Sequence, residues 1–480
     1  MRFARTAASL GLFAAASAFR AEADEVNAWP VCVLCEDPSG RMESWSSLGP
    51  LLFSGPAPAP DAGHVSGFRP FYVEQAGSAT ARTDILYPLF FYRRYGDTYK
   101  WSVFQLINQQ GVMDSVTQEG RPTDRRLDIW PFYFSQESAD PAETYHGVLP
   151  IYGTLRNKLG YESLSWTLFP LYVESLRKGT RETYTPFPFV RVMRGAESGF
   201  GVWPLVGATK GPGPSRRSYY LWPLIWDNKQ VTLPESPAGS APGSEVGFLP
   251  FFTRQASTEV ESEDYLWPFF GYTERTSPYR YSERRYFWPF LVQGRGANMT
   301  VNRWGPFFTH SSLQGIDSTW VGWPLWHRTT WVDGDISQSK TQFFYFIYWS
   351  QDDTSVRRPS AAPAYKRHIW PLLSIWDNGA GSRQVQFLSP IEVFFSSSPD
   401  MRETWAPFFS LYRYDRRPNG ETRNSLLWNA VTWRSNASED LVEFHLGPVI
   451  GMRRLPSGPR WSILGFDFGA KLVNDKKASR

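Results

Sequence analysis

The chain has 480 residues, 42% apolar and 17% aromatic, and holds 22 Trp. Its formal charge of +4 is too small to imply a polyanionic partner, so nucleic acid is not expected. Outside the N-terminus no apolar run approaches the ~18 residues of a membrane helix. That excludes a helical membrane protein but not a β-barrel, whose alternating strands barely register on hydropathy.

At the N-terminus Arg2 and Arg5 precede an apolar stretch from Ala7 to Ala18, closed by Arg20. Small-residue cleavage patterns follow at Ala16-Ser17-Ala18 or Ala21-Glu22-Ala23. This order predicts a secretory signal peptide over residues 1–23 and export from the cytoplasm. The next segment, 24–46, carries the two cysteines of the chain, Cys32 and Cys35. In an oxidising compartment they are expected to form a local disulfide or a labile dithiol. Glu36 stands where a c-type haem would need His, and further zinc ligands are lacking nearby.

From residue 47 onward a short core recurs about every 20 residues. Trp130-Pro131-Phe132, Trp203-Pro204-Leu205, Trp222-Pro223-Leu224, Trp267-Pro268-Phe269, Trp288-Pro289-Phe290, Trp323-Pro324-Leu325 and Trp370-Pro371-Leu372 are the clearest copies. Tyr87-Pro88-Leu89, Phe169-Pro170-Leu171 and Ala406-Pro407-Phe408 are variants, and Trp101–Leu106, Phe343–Trp349 and Leu426–Trp433 fill the gaps without proline. With a last core at Trp461–Leu472, the repeat predicts about 22 strands, one to each core. Turn pairs such as Gly96-Asp97, Asp333-Gly334, Asn378-Gly379 and Asn419-Gly420 fall between cores, where hairpin turns are needed. No amphipathic helical period of useful length stands out. The expected fold is therefore an all-β antiparallel meander, forming a single repeat domain over 47–473, with a polar tail at 474–480. The longest connections, around Gly111–Arg126, Val231–Glu245 and Asp352–Tyr365, fall on one end of such a meander.

Closing the meander into a barrel would remove its two edges. In Ser462 to Ala470, Leu464, Phe466, Phe468 and Ala470 share one face, and Gly465, Asp467 and Gly469 the other. With Val442–Met452 this resembles the closing hairpin of a bacterial outer-membrane β-barrel. The resemblance covers the signal and this region, and it implies outer-membrane lipid as partner and a role in passive passage or surface display. The tail Asn474–Arg480 departs from it, since such proteins usually stop at an aromatic residue. A proline in the middle of so many strands also opposes a closed barrel. So do two apolar faces around each core, as at Tyr220, Trp222, Leu224, Trp226 against Leu221, Pro223, Ile225. The rival reading is a soluble β-propeller or β-solenoid-like repeat that binds envelope glycan or protein.

No residue is assigned a catalytic, cofactor-binding or metal-binding role, and an enzyme is not expected. His64, His146, His310, His327, His368 and His445 lack ligand spacing, and no nucleophile, zincin or phosphate-loop motif occurs. Glu259, Glu261 and Glu263, with Asp264, read as a solvated strand extension in preference to a cation site. Asp333-Gly334-Asp335 reads as a turn, because Phe344 stands where a calcium loop would close with Glu. Seven Arg-Arg pairs, at 93–94, 125–126, 216–217, 284–285, 357–358, 416–417 and 453–454, read as cross-strand partners of acids or as holders of lipid phosphate.

Overall fold

The computed structural model describes residues 25–36, 42–57, 63–113, 124–233, 241–436, 441–455, 458–464 and 466–469. The predicted signal peptide and the tail at 474–480 lie outside them. The chain is nearly all β, with 44 strands running as an antiparallel meander. It divides into two compact units, one formed by residues 1–96 and 332–480, the other by 97–331.

The strand count is twice the expected 22 because each repeat holds a hairpin, and the apolar core is its turn. Leu86-Tyr87-Pro88-Leu89 is typical. The Tyr87-Pro88 peptide is cis, and the amide of Leu89 closes the turn on the Leu86 carbonyl at 2.9 Å. This is the arrangement of a type VI turn, with cis proline at the third position. Ile129–Phe132, Leu221–Leu224, Leu266–Phe269 and Phe287–Phe290 close in the same way. Proline thus sits where no ladder amide is required, which removes the objection that a proline-centred strand raised. The proline-free cores turn through consecutive residues with positive φ, two at Phe104-Gln105 and Phe344-Tyr345 and three at Leu427-Trp428-Asn429.

Most strands have five or six residues and the longest described have eight, such as Trp326–Asp333 and Tyr348–Ser355. At about 3.3 Å per residue that is roughly 17–26 Å. The expected closed barrel is not formed. Among the described residues the first strand, Glu25–Ala28, pairs only with Cys32–Glu36, and the last, Phe466–Gly469, only with Gly458–Ile463. Within the first unit the N-terminal hairpin instead lays one face against strands Thr422–Leu426 and Val431–Asn436, through side chains and not through an edge ladder. The predicted C-terminal strand likewise folds as two short ones, Gly458–Ile463 and Phe466–Gly469, with Leu464 at the bend.

A helical excursion interrupts the first unit between Glu392 and Phe408, where the core Ala406-Pro407-Phe408 was expected to form a strand. It covers the inner face of the N-terminal strands. Trp405 packs on buried Phe53, Val65 and Val73, and Arg69 donates to the Thr404 carbonyl at 2.5 Å.

In the second unit one sheet face is exposed and the other is packed by large rings laid over glycines of neighbouring strands. Trp166 covers Gly147 and Gly153, and Tyr219 covers Gly201 and Gly207. Phe134, Tyr145, Leu155 and Val173 complete the core around Trp166. The Trp226 ring lies 2.2 Å from where a Cβ on Gly247 would stand. Gly247→Val should therefore lower stability by about 1–3 kcal/mol, the usual cost of overpacking. Thermal melts should show the loss, and a second change, Trp226→Leu, should recover part of it.

Candidate membrane interface

Because the apolar turns join every odd-numbered strand to the next, they fall at one end of the strands in each unit. The polar turns fall at the other. In the second unit the apolar turns are hydrogen-bonded side by side. The Leu221 amide donates to the Leu205 carbonyl at 2.7 Å, Leu266 to Phe251 at 2.8 Å, Trp288 to Phe269 at 2.7 Å and Gly322 to Phe307 at 2.7 Å. Rings approach one another along the same line. Trp203 and Trp222 have centroids 6.5 Å apart, and Phe269 and Phe287 stack at 5.4 Å. The result is a continuous ridge of exposed Leu, Phe and Trp side chains. The first unit carries a ridge of the same kind, with Leu86, Tyr87, Leu372 and Leu427 exposed.

The backbone makes the choice of residue informative. Leu86, Leu168, Leu221 and Leu266 have φ of 44°, 47°, 47° and 45°. In this left-handed region leucine costs about 1–2 kcal/mol and asparagine or glycine is favoured. Yet these leucines are 42–56% exposed. Neither backbone preference nor core packing accounts for them.

The opposite ends carry Gly96, Gly160, Gly315, Gly334 and Gly420, each with positive φ and open space around it. The three long connections leave from these polar ends, after strands Ile107–Val112, Ile225–Val231 and Tyr348–Ser355.

Most Arg-Arg pairs also lie at the polar ends or mid-strand, and not in the apolar turns. Neighbouring residues point to opposite faces, so the partners of a pair separate. Arg285 binds Asp264 at 2.9 Å and Glu283 at 2.7 Å on the packed face, while Arg284 reaches Glu274 on the other. Arg93 pairs with buried Asp84, Arg126 with Asp128, and Arg417 with Glu43. These are acid partners, as cross-strand pairing requires.

The acidic run divides similarly. Glu261 and Glu263 share Arg254, Asp264 belongs to Arg285, and a Glu259 oxygen is buried without a partner. No cluster that could hold a metal occurs among the described residues. Asp335 pairs with Arg357 beside the Asp333-Gly334 turn. His310 and His327 bond to threonine and serine hydroxyls, and His327 stacks on Trp320 at 3.9 Å.

Cys32 and Cys35 are free, so of the expected disulfide or dithiol the structure carries two thiols. They stand three residues apart on one extended strand and so face opposite sides. Burial pushes the Cys35 thiol up to about 11. Cys35 lies beside Glu25, in a polar interior that the sequence did not reveal. Glu25 is bound by Arg423 at 3.0 Å and by the Thr432 hydroxyl at 2.6 Å. Asn27 joins Thr432 at 3.2 Å and the Asn429 carbonyl at 2.8 Å. Burial works to raise the Glu25 carboxyl, but the Arg423 guanidinium outweighs it and holds the group below the usual carboxylate range.

Among the described residues His368 is buried with neither ring nitrogen bonded, against Trp349 at 5.2 Å. Burial, helped by Lys366, lowers its pKa from 6.5 to about 4. Above pH 6.5 it is neutral in both folded and unfolded chains. As pH falls from 6.5 to 4 the unfolded chain takes up a proton that the folded one refuses. Stability should drop by about 3 kcal/mol across that window. Urea titrations at several pH values should show this slope flattened in His368→Phe.

No family model, no curated protein and no solved structure matches this chain.

Proposed function

We propose that this is an envelope protein that stands on a lipid surface, with the apolar turn ridge immersed in one leaflet and the polar ends displayed to water. The carrying observation is the row of exposed leucines at left-handed backbone positions, where only an apolar environment favours leucine over asparagine. Trp and Tyr within the ridge suit the headgroup boundary, where amphipathic rings are enriched. The longest described strands, at eight residues, fall short of the 9–11 or so needed to cross a bilayer, which favours immersion at one leaflet over a spanning barrel. The secretory pattern at residues 1–23 directs the protein to the envelope, and the outer membrane of a Gram-negative-type bacterium is the surface we assign to it. The role is then surface display of the polar turns and long connections.

The test is flotation of the mature protein with phospholipid vesicles at low and high salt, beside carbonate and urea washing of envelopes. Binding that resists salt and washing supports the reading, since burial of apolar surface is insensitive to screening. A protein that stays in the aqueous fraction, or leaves the vesicles in salt, overturns it.

A further inference from the structure

Inside the first unit, a cavity of about 510 Å³ runs between the N-terminal strands around Phe53 and Val65 and the C-terminal strands around Trp376 and Arg413. Its charges do not balance. Arg423 is neutralised by Glu25, Arg434 by Glu421, Arg417 by Glu43, and Arg413 by Asp415 and Glu403. Arg69 has no carboxylate within ion-pair distance among the described residues. It is 5% exposed and donates only to the carbonyls of Thr404 and Pro50, with Phe53 under its guanidinium at 3.5 Å. Burial and the nearby Arg413 lower its pKa to about 9, which still leaves it charged at neutral pH.

One further donor at this wall lacks an acceptor. Gln384 is 4% exposed, and its amide nitrogen is buried without a partner. A buried cation and an idle donor on one cavity are costly unless something supplies negative oxygen.

We infer that this cavity is a binding site for a phosphate group, held by Arg69 with Gln384 as a second donor. A tetrahedral oxyanion accepts bonds from several directions, which suits donors arriving from separate strands. The volume leaves room for a substituent on the phosphate. Phosphate could come free from solution or as a lipid headgroup. The lining reaches from the turn residues Gly49 and Pro50 to Arg417 and Pro418 at the polar end.

The experiment is calorimetric titration of the full mature protein with inorganic phosphate and, separately, with a short-chain phosphatidic acid below its micelle concentration. Arg69→Met should weaken binding about tenfold or more, as expected for a charge-assisted bond. Gln384→Leu should weaken it several-fold. This second variant removes a donor that has no partner in the fold, so it should fold normally and keeps the test decisive if Arg69→Met does not. Binding of both probes assigns free phosphate as a sufficient ligand, and binding of the phosphatidic acid alone assigns a lipid headgroup. The inference is overturned if neither probe binds at millimolar concentration, or if both variants bind as the wild type does. Arg69 and Gln384 are both buried and contribute nothing to the exposed ridge surface, so the site's success or failure is read independently of vesicle flotation.

Discussion

Exchanging Leu168, Leu221 and Leu266 together for asparagine is expected to lower affinity for phospholipid vesicles by roughly a thousandfold, with the melting temperature unchanged or raised. Each leucine presents about half of its side chain to the surroundings. Transferring that area into lipid contributes about 1–1.5 kcal/mol per residue. Three such losses come to about 4 kcal/mol, or three decades in partitioning. The backbone effect runs the other way, because asparagine tolerates the φ near 46° that these positions share better than leucine does. Membrane affinity and fold stability should therefore move in opposite directions. If the triple variant is destabilised and still binds vesicles, the leucines serve packing and the membrane reading fails.

Arg423→Met is expected to destabilise the first unit by about 3–5 kcal/mol, the usual consequence of leaving a buried carboxylate without its cation. Glu25 is almost wholly buried, and its remaining bonds come from Thr432 and the weak thiol donor of Cys35. Adding Glu25→Gln should return a large part of the loss, since the uncompensated charge is then gone. The pH dependence should also reverse. In the wild type the depressed Glu25 pKa contributes stability that is present above about pH 4.5 and is lost as pH falls through the folded value. Without Arg423 the same carboxyl is raised by burial, so acid should stabilise the single variant. Urea unfolding curves at neutral and mildly acidic pH would check both signs.

The period of the repeat was legible in the amino-acid order, and so was the placement of the polar turns between the cores. Gly96-Asp97, Asn378-Gly379 and Asn419-Gly420 marked the polar turns directly. What misled was the chemistry of the apolar turns. In Tyr220-Leu221-Trp222-Pro223-Leu224, large residues stand on both sides of the proline and read as a buried strand. A turn built from such residues has none of the usual Gly, Asn or Asp signals. The excursion from Glu392 to Phe408 was hidden for a related reason, since Pro390 and Pro407 keep the repeat spacing while the chain coils between them. The interior of the first unit was not legible at all. Glu25, Asn27 and Arg423 look like the solvated face of ordinary strands, and only their meeting across nearly 400 positions makes them a core. Arg69 is disguised further, because it occupies the Trp position of a repeat core, Phe68-Arg69-Pro70-Phe71.

That meeting also fixes an order of events in synthesis. Glu25 emerges from the ribosome 398 residues ahead of Arg423. At about 5–20 residues per second the interval is roughly 20–80 s. Throughout it the leading hairpin can form its own ladder, but its buried face has no partner. The second unit, contiguous in sequence, can be completed while the first still waits for its other half. A chain with this layout needs its earliest strands kept from foreign edges until the last ones arrive.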